Sequence, residues 1–136
     1  MSVIAISGGF DPLHIGHVRL IQAAAHYGKV MVILNSDDWL KRKKGYSFMS
    51  WAQRCEILMA MKDVTGVVRV DDADGTVCEA LLKLKPDYFA NGGDRGPENT
   101  PELKLCCDMG IKTMFGIGGG KIESSSNMVR RINTAG

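Results

Sequence analysis

The sequence predicts a doubly wound α/β domain, a five-stranded parallel sheet with helices on both faces. Three observations predict it. Short, continuous β-branched runs recur along the chain, as strands buried on both faces require. Stretches with apolar residues at helical spacing separate those runs. Glycine, proline and hydroxyl residues stand at the joints. Strands that alternate with helices imply βαβ units and therefore parallel pairing.

Each element follows in order. Val3-Ile4-Ala5-Ile6 reads as a buried strand ended by Gly8-Gly9. From Ile15 to Tyr27 the residues Val18, Leu20, Ile21 and Ala24 or Ala25 fall at helical spacing, and Gly28 closes the helix. Val30 to Leu34 is a second strand. The polar segment Lys41 to Ser47 lacks helical periodicity and is expected to be a mobile loop. Trp51 to Met61 is a helix, with Ser50 and Gln53 spaced as a capping box. Val67 to Val70 is a third strand, and Thr76 with Glu79 predicts a capped helix running to Leu84 before Pro86. Tyr88-Phe89-Ala90 is a fourth strand. Thr100-Pro101 opens a helix that Gly110 closes, Ile111 to Ile117 is a fifth strand, and residues 126–132 form a last short helix. No repeat or linker divides the chain, so residues 1–136 read as one domain.

Composition narrows the function. Lys and Arg number 17 against 15 Asp and Glu, a formal net charge of +2, which argues against a general binder of nucleic acid or membrane surface. An anionic ligand must then be held by a local site. A 45% hydrophobic and 24% charged composition excludes a disordered chain. No apolar run approaches the roughly 20 residues that span a bilayer. The N-terminus lacks the pattern of a signal peptide, so a cytoplasmic protein is expected. Cys55, Cys78, Cys106 and Cys107 form no C-x-x-C pair and are expected to be reduced, mostly buried thiols.

In a doubly wound sheet, ligands bind at the carboxyl ends of the strands. The first such loop is Gly8-Gly9-Phe10-Asp11-Pro12-Leu13-His14-Ile15-Gly16-His17. Two glycines let backbone pass close to a ligand. The helix then starts near His14, so its free N–H groups face the loop. His14 and His17 lie one turn apart and can face the same way, a good place for phosphate charge. A metal held by the pair would need a third ligand, and none is evident.

This stretch resembles the G-x-F-D-x-x-H-x-G-H signature of the nucleotidyltransferase superfamily of the cytidylyltransferase type. That group includes cytidylyltransferases of glycerol 3-phosphate and phosphocholine and adenylyltransferases of heptose 1-phosphate. Asn35-Ser36-Asp37, Lys44-Gly45, Gln53-Arg54, Asn91-Gly92-Gly93-Asp94 and Ser124-Ser125-Ser126 resemble further family motifs. The resemblance implies a single Rossmann-like domain. It also implies transfer of a nucleoside monophosphate, with CTP favoured as donor, to a small phosphorylated alcohol, sugar or phosphonate, with release of pyrophosphate. An ATP-dependent adenylyltransferase acting on a sugar phosphate is the alternative, because Asn35-Ser36-Asp37 and Asn91-Gly92-Gly93-Asp94 look closer to the heptose-type members. A non-catalytic nucleotide sensor is the alternative of another class.

Carried over residue by residue, the resemblance gives His14, His17 and Lys44 catalytic roles on the phosphates. It places Gly8, Gly9, Phe10, Asp11 and Gly16 in the nucleotide loop, and it gives Arg54 the triphosphate or the acceptor. Gly93 and Asp94 would lie near the nucleoside, and Ser124, Ser125 and Ser126 would hold the β- and γ-phosphates. It further implies Mg²⁺ carried mainly by the substrate phosphates, and a homodimer. The chain departs from the pattern at three places: Gly9 stands where many relatives carry Thr, Lys121 precedes the serines at an unusual spacing, and Arg95 stands where relatives often carry Trp or Tyr.

Overall fold

The computed structural model describes residues 2–92 and 100–117. In chain order the elements are β1 (Val3–Gly8), α1 (Ile15–Ala24), β2 (Lys29–Leu34), α2 (Asp37–Lys44), α3 (Trp51–Met59), β3 (Val64–Arg69), α4 (Cys78–Leu84), β4 (Tyr88–Gly92), α5 (Thr100–Met109) and β5 (Lys112–Ile117). The five strands form one parallel sheet in the order β3-β2-β1-β4-β5. Strand order therefore reverses beside β1, and the crevice at the carboxyl ends of β1 and β4 is where such sheets bind ligands. The predicted helix over 126–132 lies outside the described residues.

Both faces of the sheet are buried, as the continuous apolar strands require. On one face Ile4, Ile6, Val30 and Val32 pack with Leu20, Ile21 and Ala24 of α1 and Leu58 of α3. On the other, Ala5, Ile33 and Phe89 pack with Ala80 and Leu81 of α4 and Cys106 of α5. Alternate residues of a strand thus serve opposite layers. Among the described residues no helix is long and apolar enough to cross a membrane. The four cysteines are free thiols, with Cys106 buried and Cys107 exposed. The expectation of mostly buried cysteines therefore holds fully only for Cys106.

The structure corrects four local readings. The segment expected to be a loop is largely α2. Ser36 caps it, with its Oγ accepting from Trp39 N, Asp37 and Asp38 occupy its first turn, and four basic residues fill its last turn. Capping and the helix dipole thus outweigh the missing apolar stripe, and Gly45 closes the helix at φ 89°. Lys44 is the last residue of this helix.

The predicted box at Thr76 and Glu79 does not form. Val77 is the N-cap residue and makes no side-chain cap. Thr76 instead bonds to Asp74, while Glu79 accepts from Asp71 N and pairs with Lys83. Strand β3 also starts earlier than predicted. An irregularity between Val30 and Met31 leaves Thr65 unpaired, and Gly66 sits against the Met31 side chain.

Helix α1 stops at Ala24, three residues before the predicted end, and turns tightly through Tyr27. A Cβ at Gly28 would lie 2.5 Å from the Ser2 carbonyl oxygen, so the turn into β2 needs a glycine. Gly28→Ala is expected to lower the unfolding free energy by about 1–3 kcal/mol through this backbone clash. Urea denaturation measures it, and an unchanged midpoint would contradict the close approach.

Candidate active site

The carboxyl end of β1 leads into a turn held by unusual backbone. Phe10 adopts φ 51°, a left-handed conformation that costs a non-glycine residue about 1–3 kcal/mol. The fold offsets this by burying the Phe10 ring, which lies 4.8 Å from the His17 ring. A Cβ at Gly9 would come within 2.7 Å of Leu40, a buried residue of α2. Glycine here lets α2 pack directly on the turn. Glycine at this position therefore has a packing reason.

His14 is the N-cap of α1, and its Nδ1 accepts from Gly16 N at 3.0 Å. His17 Nδ1 accepts from His14 N at 3.1 Å. The two rings lie 3.9 Å apart. A ring nitrogen that accepts a backbone N–H carries no proton, so each neutral ring carries its N–H at Nε2. Burial first, then the neighbouring charges of His14 and Lys44, lower the His17 pKa from 6.5 to about 3. His17 is thus a neutral hydrogen-bond donor at any ordinary pH.

Lys44 ends α2 beside this pair. Its Nζ donates to the Asp11 carbonyl oxygen at 2.6 Å. An ammonium has three N–H donors, so this bond aims the group and leaves two for a ligand. Burial chiefly lowers its pKa, the Asp11 charge opposes that shift, and Arg54 adds to it.

Asp11 and Arg54 bond to neighbouring loops of the chain. The buried Asp11 carboxylate accepts from Phe48 N at 2.7 Å and Met49 N at 2.8 Å, so it anchors the α2–α3 connection. Arg54 is wholly buried. It donates to Met49 O, Gly9 O and Asn35 O at 3.0, 2.7 and 2.9 Å, and to Asp37 Oδ1 at 2.6 Å. These bonds make it a clamp on the loops around the site. The Arg54 bond also holds the Asp37 carboxyl below its usual range, despite the opposing effect of burial.

One residue absent from the sequence reading is central. Buried Asp72 accepts from Asn35 Nδ2, Ser36 N and Ser36 Oγ at 3.0, 2.8 and 2.6 Å, and its carbonyl oxygen accepts from Arg42. It fixes the turn after β2, which Arg54 also holds through the Asn35 carbonyl. Nothing local in Val70-Asp71-Asp72-Ala73 signals this, because the partners lie 30 to 37 residues away. The structure thus brings Gly8, Gly9, Phe10, Asp11, His14, Gly16, His17, Lys44 and Arg54 around one turn. The predicted site residues Gly93, Asp94, Ser124, Ser125 and Ser126 lie outside the described residues. Among the described residues no group of three or more His, Cys, Asp or Glu could hold a metal.

Comparison with known proteins agrees with this geometry. Residues 5–104 match the family model described as cytidylyltransferase-like. The chain is 34% identical over 135 residues to the bifunctional protein HldE of Syntrophotalea carbinolica, covering 96% of this chain and 27% of the relative. It is 42% identical over 91 residues to HldE of Hyphomonas neptunium, covering 65% of this chain and 18% of the relative. The chain therefore spans about a quarter of the length of such relatives. Among solved structures, a lipopolysaccharide core biosynthesis protein of Thermoplasma volcanium aligns with a TM-score of 0.72 at 20% identity, covering 85% of this chain and 94% of its own. A putative nicotinate-nucleotide adenylyltransferase of Vibrio parahaemolyticus aligns at 0.58 and 19%, covering 98% and 88%. At those identities the two structures share the fold alone.

The depressed His17 pKa has a consequence for stability. Below about pH 6.5 the unfolded chain gains a proton at His17, while the folded chain stays neutral down to about 3. Folding stability from this group is therefore lost as pH falls through that window, with a slope of up to about 1.4 kcal/mol per pH unit. Denaturation at a series of pH values should show this slope reduced by one proton in His17→Asn. Equal slopes would contradict a buried, neutral His17.

Proposed function

Because the chain belongs to the cytidylyltransferase-like family and is a nucleotidyltransferase, we propose that His14, His17 and Lys44 drive transfer of a nucleoside monophosphate to a phosphorylated sugar. An acceptor phosphate oxygen attacks the α-phosphorus of a nucleoside triphosphate. The new P–O bond forms as the bond to the bridging oxygen breaks, and pyrophosphate leaves with that electron pair. The attacking oxygen is already ionised at neutral pH, so the step needs positioned donors more than a base. The observation that carries this reading is the imidazole pair, whose Nδ1 atoms are locked by backbone N–H groups and whose Nε2 atoms hold the protons. A pure sensor has no use for two such fixed donors beside a lysine.

Mg²⁺ enters with the triphosphate in this reading. The nearby carboxylates of Asp11 and Asp37 are committed to Phe48, Met49 and Arg54, which suits an ion held by substrate phosphates. It would neutralise charge on the leaving pyrophosphate. Two donors are in play. CTP is favoured by analogy with small-acceptor members of the family. ATP is favoured by Asn35-Ser36-Asp37, which resembles the heptose-type members and here forms the turn clamped by Asp72 and Arg54. A homodimer completes the proposal, with Ile15, half exposed at the start of α1, as a contact. Light scattering should give about twice the chain's 14.8 kDa.

Pyrophosphate release with CTP or ATP, Mg²⁺ and a panel of phosphorylated acceptors tests the reaction. Turnover with neither nucleotide would overturn it. Either triphosphate that is a substrate should raise the melting temperature, by an amount that grows with its concentration. His14→Ala and His17→Ala should each raise the barrier by about 3–4 kcal/mol, as loss of one fixed donor does. Turnover of His17→Ala within tenfold of the parent would remove its catalytic role. Lys44→Ala should impair turnover far more than Lys41→Ala, since Lys44 is aimed by Asp11 and Lys41 is exposed. Equal effects would mean that only diffuse charge matters.

A further inference from the structure

A second polar enclosure lies at the same strand ends, on the sheet face that carries α4 and α5. Ser7, Asn35, Trp39, Lys43 and Glu102 line a cavity of about 70 Å³. A single water needs roughly 10–15 Å³ of such space, so several oxygen atoms fit. Two of the lining groups are buried polar side chains with unused bonding capacity. Asn35, 2% exposed, donates its Nδ2 to Asp72, while its Oδ1 has no hydrogen-bond partner among the described residues. Glu102, 8% exposed, accepts at Oε1 from Val77 N at 3.3 Å, and its Oε2 has no partner among the described residues.

A buried acceptor left without a donor costs about 1–3 kcal/mol, so natural structures seldom keep two in one cavity without use. The open positions of these two side chains are acceptors, joined by the Ser7 hydroxyl, which can act either way, while the Lys43 ammonium lies over the Trp39 ring. Such a lining fits a ligand with several closely spaced O–H donors, and a carboxylate can accept two adjacent hydroxyls at once.

The cavity also adjoins the catalytic turn through three contiguous pieces of chain. Ser7 immediately precedes Gly8-Gly9. Trp39 stands 3.5 Å from where a Gly9 Cβ would be. Lys43 lines the cavity, while the next residue, Lys44, bonds to Asp11.

We propose that this cavity is the hydroxyl pocket for the acceptor. In it Glu102, Asn35 and Ser7 bond the ring hydroxyls of a sugar phosphate whose phosphate lies on the Gly8-Gly9 turn. The placement of the phosphate rests on the nucleotidyl-transfer reading, whereas the pocket's preference for a polyol does not. The pocket selects against acceptors that lack a run of hydroxyls, such as phosphocholine, and favours a sugar phosphate over glycerol 3-phosphate.

Glu102→Gln tests this with little change of shape, because the amide oxygen can still accept from Val77 N while the other position turns from acceptor to donor. The probes are hexose and heptose 1-phosphates, glycerol 3-phosphate and phosphocholine. In pyrophosphate-release assays Glu102→Gln should raise the sugar-phosphate KM at least tenfold while leaving the nucleotide KM within twofold. A merely structural role would move both. Calorimetric binding of the same probes to parent and variant needs no turnover. Binding of a sugar phosphate to the parent, weakened tenfold or more in Glu102→Gln, upholds the pocket even if no nucleotide is turned over. That result would instead indict the reaction. Failure of every sugar phosphate to bind the parent, equal binding by parent and variant, or a preference for glycerol 3-phosphate or phosphocholine would overturn the pocket. If Glu102→Gln does not fold, Ser7→Ala carries the test, with a sugar-phosphate affinity at least threefold weaker expected and an unchanged affinity counting against the proposal.

Discussion

The site depends on one buried cation. Arg54 projects from α3 into the layer beneath the strand ends and bonds there to the carbonyl oxygens of Gly9, Asn35 and Met49 and to the Asp37 carboxylate. The three carbonyls belong to separate connections, namely the turn after β1, the turn after β2 and the segment between α2 and α3, and Asp37 opens α2. A guanidinium taken fully out of water is tolerable only when its donors are so engaged, and its planar fork suits several acceptors held at fixed angles. Removing one partner would strand the charge, so the loops are bound to each other through it. Asp11 completes the arrangement with opposite polarity. Arg54 takes up carbonyl groups and Asp11 takes up the amides of Phe48 and Met49, so both hydrogen-bonding senses of the α2–α3 connection are satisfied.

Rigidity of this kind would let a nearly neutral chain hold the charged ligand proposed for it. The imidazoles contribute donors without net charge, because burial suppresses protonation of His17. Positive charge enters through Lys44 alone among the predicted phosphate contacts on the described residues, since Arg54 is spent on the scaffold. Donors fixed in advance lose little entropy on binding and need no reorganisation as charge shifts in the transition state. The strained Phe10 backbone and the glycine at position 9 belong to the same economy, since both let α2 and α1 approach the turn closely enough to place Lys44 near the histidines.

Much of this was legible in the sequence, for identifiable reasons. The β1 run, the His14-x-x-His17 pair and the Thr100-Pro101 helix start are local signals, and each lies where it was expected. Helix α2 was not legible from periodicity, because only Leu40 is buried and the helix is held by Ser36, the first-turn aspartates and Gly45. The inward bonds of Arg54 are not legible either, since spacing gives the residue and its helix but not whether its side chain points out or in. Asp72 and Glu102 were invisible, because each is an acidic residue in an ordinary polar context. Their importance comes from partners 25 to 37 residues away.

The helical state of α2 changes how the site must be understood. A mobile loop would bring its lysine to the phosphates only on binding, with an ordering cost at each encounter. As the last residue of a capped helix, Lys44 is already bonded to Asp11, and the next-to-last residue, Lys43, already lines the neighbouring cavity. The helix is itself anchored at both ends: Asp37 to Arg54 at its start, and Arg42 to the Asp72 carbonyl near its end. Arg54 and Asp72 thus act on Lys44 through α2 as a rigid lever rather than through contact. The same two residues both bond to Asn35, so the turn after β1 and the adjoining cavity share one scaffold. A change at that scaffold would disturb both together, whereas a change at Glu102 touches only the cavity.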